Sequence, residues 1–178
     1  MKEPSGAVPP HPVVFTKATT SVCGPGEVVK GSLDPTASVD YEGELGVVIG
    51  KRAFGAAKAD AMDHVFGYVI VNDVTSRELQ KRHNQWVIGK GLDTFCPMGP
   101  WIATADEVDD VAALELVTEI NGEERQRARV ADLIFDIPTL IETMSATMAL
   151  VPGDIIATGT PEGVGIGFKP PRYLAPGD

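Results

Sequence analysis

"VDYEGELGVVIGK", residues 39–51, decides how the chain is read. Val47, Val48 and Ile49 form an apolar run typical of a strand, and three carboxylates precede it at alternate positions: Asp40, Glu42 and Glu44. In a strand, residues i, i+2 and i+4 share a face. Like charges so placed repel unless the face is wet or something positive sits between them.

Outward from this strand, 19 glycines and 14 prolines are scattered along 178 residues and break the chain into short segments, the pattern of a β-rich fold. There is no solenoid repeat and no low-complexity tract. Strands are predicted near 13–15, 43–49, 66–71, 101–103 and 114–120. The last continues through Asn121-Gly122, a strong hairpin signal, into a polar strand. "DIPTLIETMSATMALVPGD" predicts a helix with Pro138 in its first turn, ended by Pro152-Gly153, with Ile137, Leu140, Ile141, Met144 and Met148 on one core-facing stripe. A strand over 154–158 leads into the glycine-rich "GTPEGVGIG".

Two further stretches carry chemistry. "VNDVTSRELQKR" starts as an apolar strand and turns polar at Asn72-Asp73. Thr75 and Glu78 then form a capping-box pattern that predicts a helix start, with Arg77 and Gln80 on one face of that helix. Asp73 reads equally well as a turn cap or as a site carboxylate. In "QWVIGKGLDTFCPMGPW", Lys90 lies between two glycines, where backbone can approach a ligand closely. Such a lysine is ordinarily a solvated loop residue, and gains meaning if the carboxylates are near, as a fixed charge for an anion.

"YEGELGVVIGK", "NDVTSRELQ", "GKGLDTFCPMGPW" and "GTPEGVG", in this order and spacing, resemble the C-terminal catalytic domain of the fumarylacetoacetate hydrolase family, from about "HPVVFTK" to the end of the chain. The resemblance implies a β-rich α+β fold, a mixed-sheet roll with a few short helices, as a single catalytic domain over 1–178 that forms a homodimer. It implies Glu42, Glu44 and Asp73 as ligands of a divalent metal and Lys90 as the active-site lysine. It further implies Arg77, Gln80, Lys17 of "FTK" and Thr160 of "GTPEG" as substrate-binding residues. The residue types agree with that placement. Three carboxylates without thiol or imidazole make a hard oxygen site suited to Mg²⁺, Mn²⁺ or Ca²⁺, and Glu42 and Glu44 lie about 7 Å apart along an ideal strand, near enough to converge on one ion. On this reading a cation lets the carboxylates coexist, and Asp40 stays outside, solvated.

Such an ion would polarise a chelating 2-oxo acid and stabilise an enolate. The expected activity is hydrolytic C–C cleavage of an acylpyruvate or fumarylpyruvate. Oxaloacetate decarboxylation and hydratase or isomerase chemistry on 2-oxo-diene-dioates are the alternatives within the family. A non-catalytic domain that binds a metal and a 2-oxo acid, or a structural Ca²⁺ site, are the alternatives outside it. The hydrolytic family pattern places a His-x-x-Glu pair ahead of "FTK", and no such pair precedes His11. Glu3 has no histidine three before it. His11, His64 and His83 read as structural or solvated. The chain stops at "APGD", the turn of "VPGD" without its strand, so the expectation is a domain truncated at both ends.

Charge and composition narrow the partners. A net charge of −10 and a pI near 4.7 argue against nucleic acid and an anionic membrane, leaving a small-molecule substrate. No apolar run approaches the roughly 20 residues of a spanning helix, and "MKEPSGAVPP" shows no signal-peptide core. Cys23 and Cys96 make neither a disulfide framework nor a metal knuckle, and reduced thiols in a cytoplasmic protein is the expectation. "GTPEGVGIGF" lacks the Lys-Ser/Thr of a phosphate loop.

Overall fold

The computed structural model describes residues 8–178; the N-terminal reading, Glu3 included, lies outside them. Among the described residues nine strands appear in chain order: β1 Val22–Cys23, β2 Val39–Asp40, β3 Gly43–Ile49, β4 Val65–Asn72, β5 Thr75–Ser76, β6 Cys96–Thr104, β7 Glu115–Ile120, β8 Glu123–Arg129 and β9 Ile155–Ala157. Three short helices interrupt them: α1 Arg77–Arg82, α2 Val87–Lys90 and α3 Ile137–Ser145. A five-stranded sheet runs β1-β6-β4-β3-β9, parallel only between β1 and β6 and antiparallel elsewhere. It curls into a half-barrel, with β2-β5 and the β7-β8 hairpin as two-stranded ribbons beside it.

The sequence pattern accounts for most of this. Alternation on β3 sends Leu45, Val47 and Ile49 into one core cluster, where Tyr68, Ile156 and the α3 residues Ile137, Leu140 and Ile141 meet them. Val48 joins Val69, Val71 and Cys96 in a second cluster. Glu42 and Glu44 have the parity of Val48, so the carboxylates share that side of the strand. Asn121 (φ 52°) and Gly122 (φ 77°) take the two left-handed positions of the β7-β8 turn, as Asn-Gly requires.

Three expectations are corrected. Residues 13–15 form no strand: Val13 and Val14 are exposed, and the segment is irregular. α3 stops at Ser145, because the chain behind it is taken by tertiary pairing. Gly55 N–H donates to Ser145 O (2.7 Å), and Leu150 bridges to Ala53. Met148 therefore lies past the helix, exposed, and off the core stripe. Thr75 is not an N-cap. It belongs to β5 and its hydroxyl donates to Asp73 O, while Ser38 Oγ from a distant segment accepts the Glu78 N–H (3.0 Å).

Candidate metal centre

β3, the end of β4, α1 and α2 converge on one buried cluster. Asp73 N–H donates to Glu42 O (2.8 Å) and Asn72 Oδ1 accepts from Glu42 N–H (3.0 Å), so the start of β3 and the end of β4 are stitched where their acids sit. Glu42, Glu44 and Asp73 are all buried, and each offers an oxygen within 4.8 Å of the others.

The positive charge that lets these acids coexist is partly supplied by the chain. Lys90 Nζ donates to Glu42 Oε2 and Asp73 Oδ2, both at 2.6 Å. Lys17 Nζ donates to Asp73 Oδ1 (2.5 Å) and Val74 O (3.1 Å). Arg77 Nε donates to Asp40 Oδ2 (2.8 Å), and its Nη1 lies 2.6 Å from Glu42 Oε1. That last contact is an ion pair off the hydrogen-bonding direction, and Glu42 Oε1 accepts no hydrogen bond.

Lys90 is fully buried at the end of α2, against the carboxylates, and is not the solvated loop residue that a lysine between glycines ordinarily is. Its flanking glycine serves helix packing. A Cβ on Gly89 would lie 2.5 Å from Gln80 N, so α2 can press on α1 and aim Lys90 at the acids only without a side chain there. Burial works against the Lys90 ammonium, but Glu42 and Asp73 outweigh it and hold its pKa above the ordinary lysine value. The Phe15 ring, 5.0 Å from Lys90 Nζ and edge-on to Trp86, covers the lysine.

Asp40 is the clearest correction within the site. It is outside the triad, as expected, but completely buried, accepting from Arg77 and from the Tyr41, Gly165 and Ile166 amides. Arg77 and Gln80 do share a face of α1, with Arg77 Nη1 donating to Gln80 Oε1 (3.4 Å). Thr160 lies against β3: its hydroxyl donates to Gly43 O (3.0 Å) and accepts from Gln126 Nε2 (2.7 Å). Gln126 has no signal in "EERQRAR" to set it apart from its polar neighbours. The Gly159 amide, which donates to Glu44 Oε2 (2.7 Å), was signalled only by the glycine-rich composition around it.

Four buried carboxylates (Asp40, Glu42, Glu44, Asp73) thus face three cations (Lys17, Arg77, Lys90). Among the described residues, Glu44 is the acid of this cluster with no ion pair. Burial, then Asp73 and Glu42, push its carboxyl up to about 8. An all-oxygen donor set with one uncompensated acid fits a hard divalent ion. His11 and His83 are exposed, and His64 bonds Lys51 O at the far end of β3 and β4. Cys23 and Cys96 are free and buried, and burial drives the Cys96 thiol up to about 11.

A family model for the C-terminal region of fumarylacetoacetate hydrolases matches residues 1–178. The chain belongs to this family. An oxaloacetate tautomerase of Bacillus subtilis, YisK, is 55% identical over 171 residues, which are 96% of this chain and 57% of that protein. A fumarylacetoacetate hydrolase from Exiguobacterium antarcticum superposes with a TM-score of 0.88 at 47% identity, covering 92% of this chain and 58% of its own. A maleylpyruvate hydrolase of Sphingobium, solved with manganese(II) and pyruvate, superposes at 0.75 with 44% identity, over 85% of this chain and 55% of that one. The chain spans little more than half the length of these relatives.

Proposed function

We propose that this chain forms the catalytic part of a divalent-metal-dependent enzyme that interconverts the keto and enol forms of a 2-oxo dicarboxylic acid of the oxaloacetate type. The observation that carries this reading is the buried Glu42-Glu44-Asp73 triad with Glu44 lacking an ion pair. Mg²⁺ or Mn²⁺ held there would supply Lewis acidity to a 2-oxo carbonyl. The manganese and pyruvate of the Sphingobium relative support the same class of ligand.

The chain's own groups divide the remaining work. Lys90, kept protonated between two carboxylates, acts as a fixed positive charge and not as a base. Lys17, with 12% of its side chain exposed against 3% for Arg77 and 0% for Lys90, is the cation best placed to meet a substrate carboxylate arriving from solvent. Gln80 and Thr160, buried beside the cluster, are the further groups assigned to substrate binding, and Phe15 with Trp86 covers Lys90. Keto–enol exchange needs a base and an acid that move a proton beside the carbonyl, and hydrolysis needs in addition a water activated for attack. The tautomerase relative, at 55% identity, supports the first chemistry. Hydrolytic cleavage of an acylpyruvate is the second reading, favoured by the Sphingobium relative's name.

The test follows the ultraviolet absorbance of enol-oxaloacetate with Mn²⁺, Mg²⁺ or EDTA, with pyruvate assayed in parallel and Glu44→Ala as control. Metal-dependent loss of enol without pyruvate supports tautomerisation. Pyruvate release points to decarboxylation, and turnover of acetylpyruvate alone points to hydrolysis. Metal binding without turnover of either compound overturns the enzymatic reading in favour of a binding domain.

The homodimer remains part of this proposal. β4, β6 and β9 expose Ile70, Trp101, Ile102 and Ile155, apolar side chains beside a cleft of about 320 Å³ that suit a second copy. Sedimentation of the wild type and of Trp101→Glu checks it: a dimer that the substitution dissociates is the expected result. Among the described residues no helix is long and apolar enough to cross a membrane.

A further inference from the structure

Gln126 on β8 faces the acid cluster, so its neighbour Arg125 projects from the opposite side of the strand. There it lines a second cleft of about 570 Å³ with Arg127, Glu162, Gly163, Val164 and Phe168. Its side chain is only 10% exposed, and its Nε and Nη1 are buried without a hydrogen-bond partner among the described residues.

The carboxylate beside Arg125 is shared. Arg125 Nη2 lies 3.3 Å from Glu123 Oε2, but both Glu123 oxygens already accept from Arg172, at 2.8 and 2.7 Å. One carboxylate therefore serves two guanidinium groups. Arg127 differs, since Glu115 and Glu124 both pair with it. Glu162 lines the cleft without an ion pair to either arginine. The Phe168 ring sits between Arg125 (5.4 Å) and Arg172 (5.1 Å) and fixes the guanidinium from one side. Gly163, at φ +102°, lies flat on β8, where a Cβ would collide with Arg125 O; its carbonyl accepts from the Tyr41 hydroxyl (2.8 Å). The Gly163 backbone is thus held against β8, and the desolvated guanidinium beside it has two nitrogens unpartnered. Leaving such donors unmet is costly.

We propose that this cleft is a second ligand site, for a small oxyanion: the carboxylate or phosphate group of a metabolite, bound by the Arg125 guanidinium. It is separate from the acid cluster, but its wall, Gly163-Val164, belongs to the same loop as Thr160.

The test titrates inorganic phosphate and, separately, malonate into the protein by calorimetry, with EDTA present so that the acid cluster holds no metal. The ¹⁵N–¹H signal of the Arg125 Nε–H is followed alongside. Saturable binding of one probe in the millimolar range or tighter, moving that signal, is the expected result, and the probe that binds identifies the source of the oxyanion. Arg125→Gln should weaken it at least about tenfold, the loss of a charge-assisted hydrogen bond, while Arg127→Gln leaves it within about twofold. If Arg125→Gln does not fold, Arg125→Lys keeps the charge without the planar donors and should weaken binding too. Absence of saturable binding for both probes, binding that leaves the Nε–H unmoved, or unchanged affinity in the folded Arg125 variant overturns the proposal.

Discussion

Two regions of this protein are crowded with charge, and they differ in what the charges do. Around β3, Lys90, Arg77 and Lys17 meet Asp40, Glu42 and Asp73 with only Lys17 reaching solvent. On the β7-β8 hairpin, Arg127 meets Glu115 and Glu124 with each side chain nearly half exposed. The contacts look alike on paper. Buried, each partner is held in place by the desolvation of the others, so removing one strands the rest. Exposed, water screens each pair and replaces any partner lost. The lesson is that buried charges can store an unsatisfied demand where exposed pairs cannot, and around β3 Glu44 is where it is stored.

The comparison breaks first at Lys90. Lys90→Ala should destabilise the fold by about 3–5 kcal/mol, because it leaves Glu42 and Asp73 buried against each other; urea unfolding reads this, and a small change would mean that the cluster is wetter than its geometry implies. Metal comes next. Mn²⁺ at a hundredfold excess over its dissociation constant should add about 2.7 kcal/mol, lost on EDTA treatment and in Glu44→Ala, as a thermal melt will show.

A pH series sharpens the assignment to Glu44. Its carboxyl, ordinarily near 4.5, titrates near 8 in the folded chain, so the folded state holds the proton more tightly than the unfolded one. Stability of the metal-free protein is then fullest below about 4.5 for this group and declines as pH rises through about 8. Glu44→Gln should flatten that decline. Mn²⁺ should reverse it, since the ion needs the carboxylate form. Last and smallest, Arg127→Ala should leave the melting temperature within error.

How much of this was legible in the sequence depends on how local the cause is. The strand at 43–49, the Asn-Gly hairpin and the start of α3 with Pro138 in its first turn are written in adjacent residues, and the alternation of Glu42 and Glu44 fixes their shared face. The gathering of Asp73 and Lys90 beside them was legible only through the order of four motifs, since no periodicity relates a strand end to a helix four residues long. The burial of Asp40 was not legible at all. Its partners are Arg77 and two amides some 125 positions away along the chain, and one carboxylate in a polar stretch carries no mark of that. Residues 13–15 failed for the opposite reason: their local pattern favours a strand, but the segment is spent on setting Phe15 and Lys17 over the acids.

The two thiols have a use that follows from their setting. Cys96, buried and pushed up to about 11, and Cys23, with its Sγ donating to Thr94 O (3.3 Å), offer almost no thiolate to a reagent while β1 and β6 stay paired. Alkylation of this protein in the absence of denaturant therefore times how often that edge of the sheet comes apart. The chain carries its own clock for local opening, readable by mass spectrometry without an added probe.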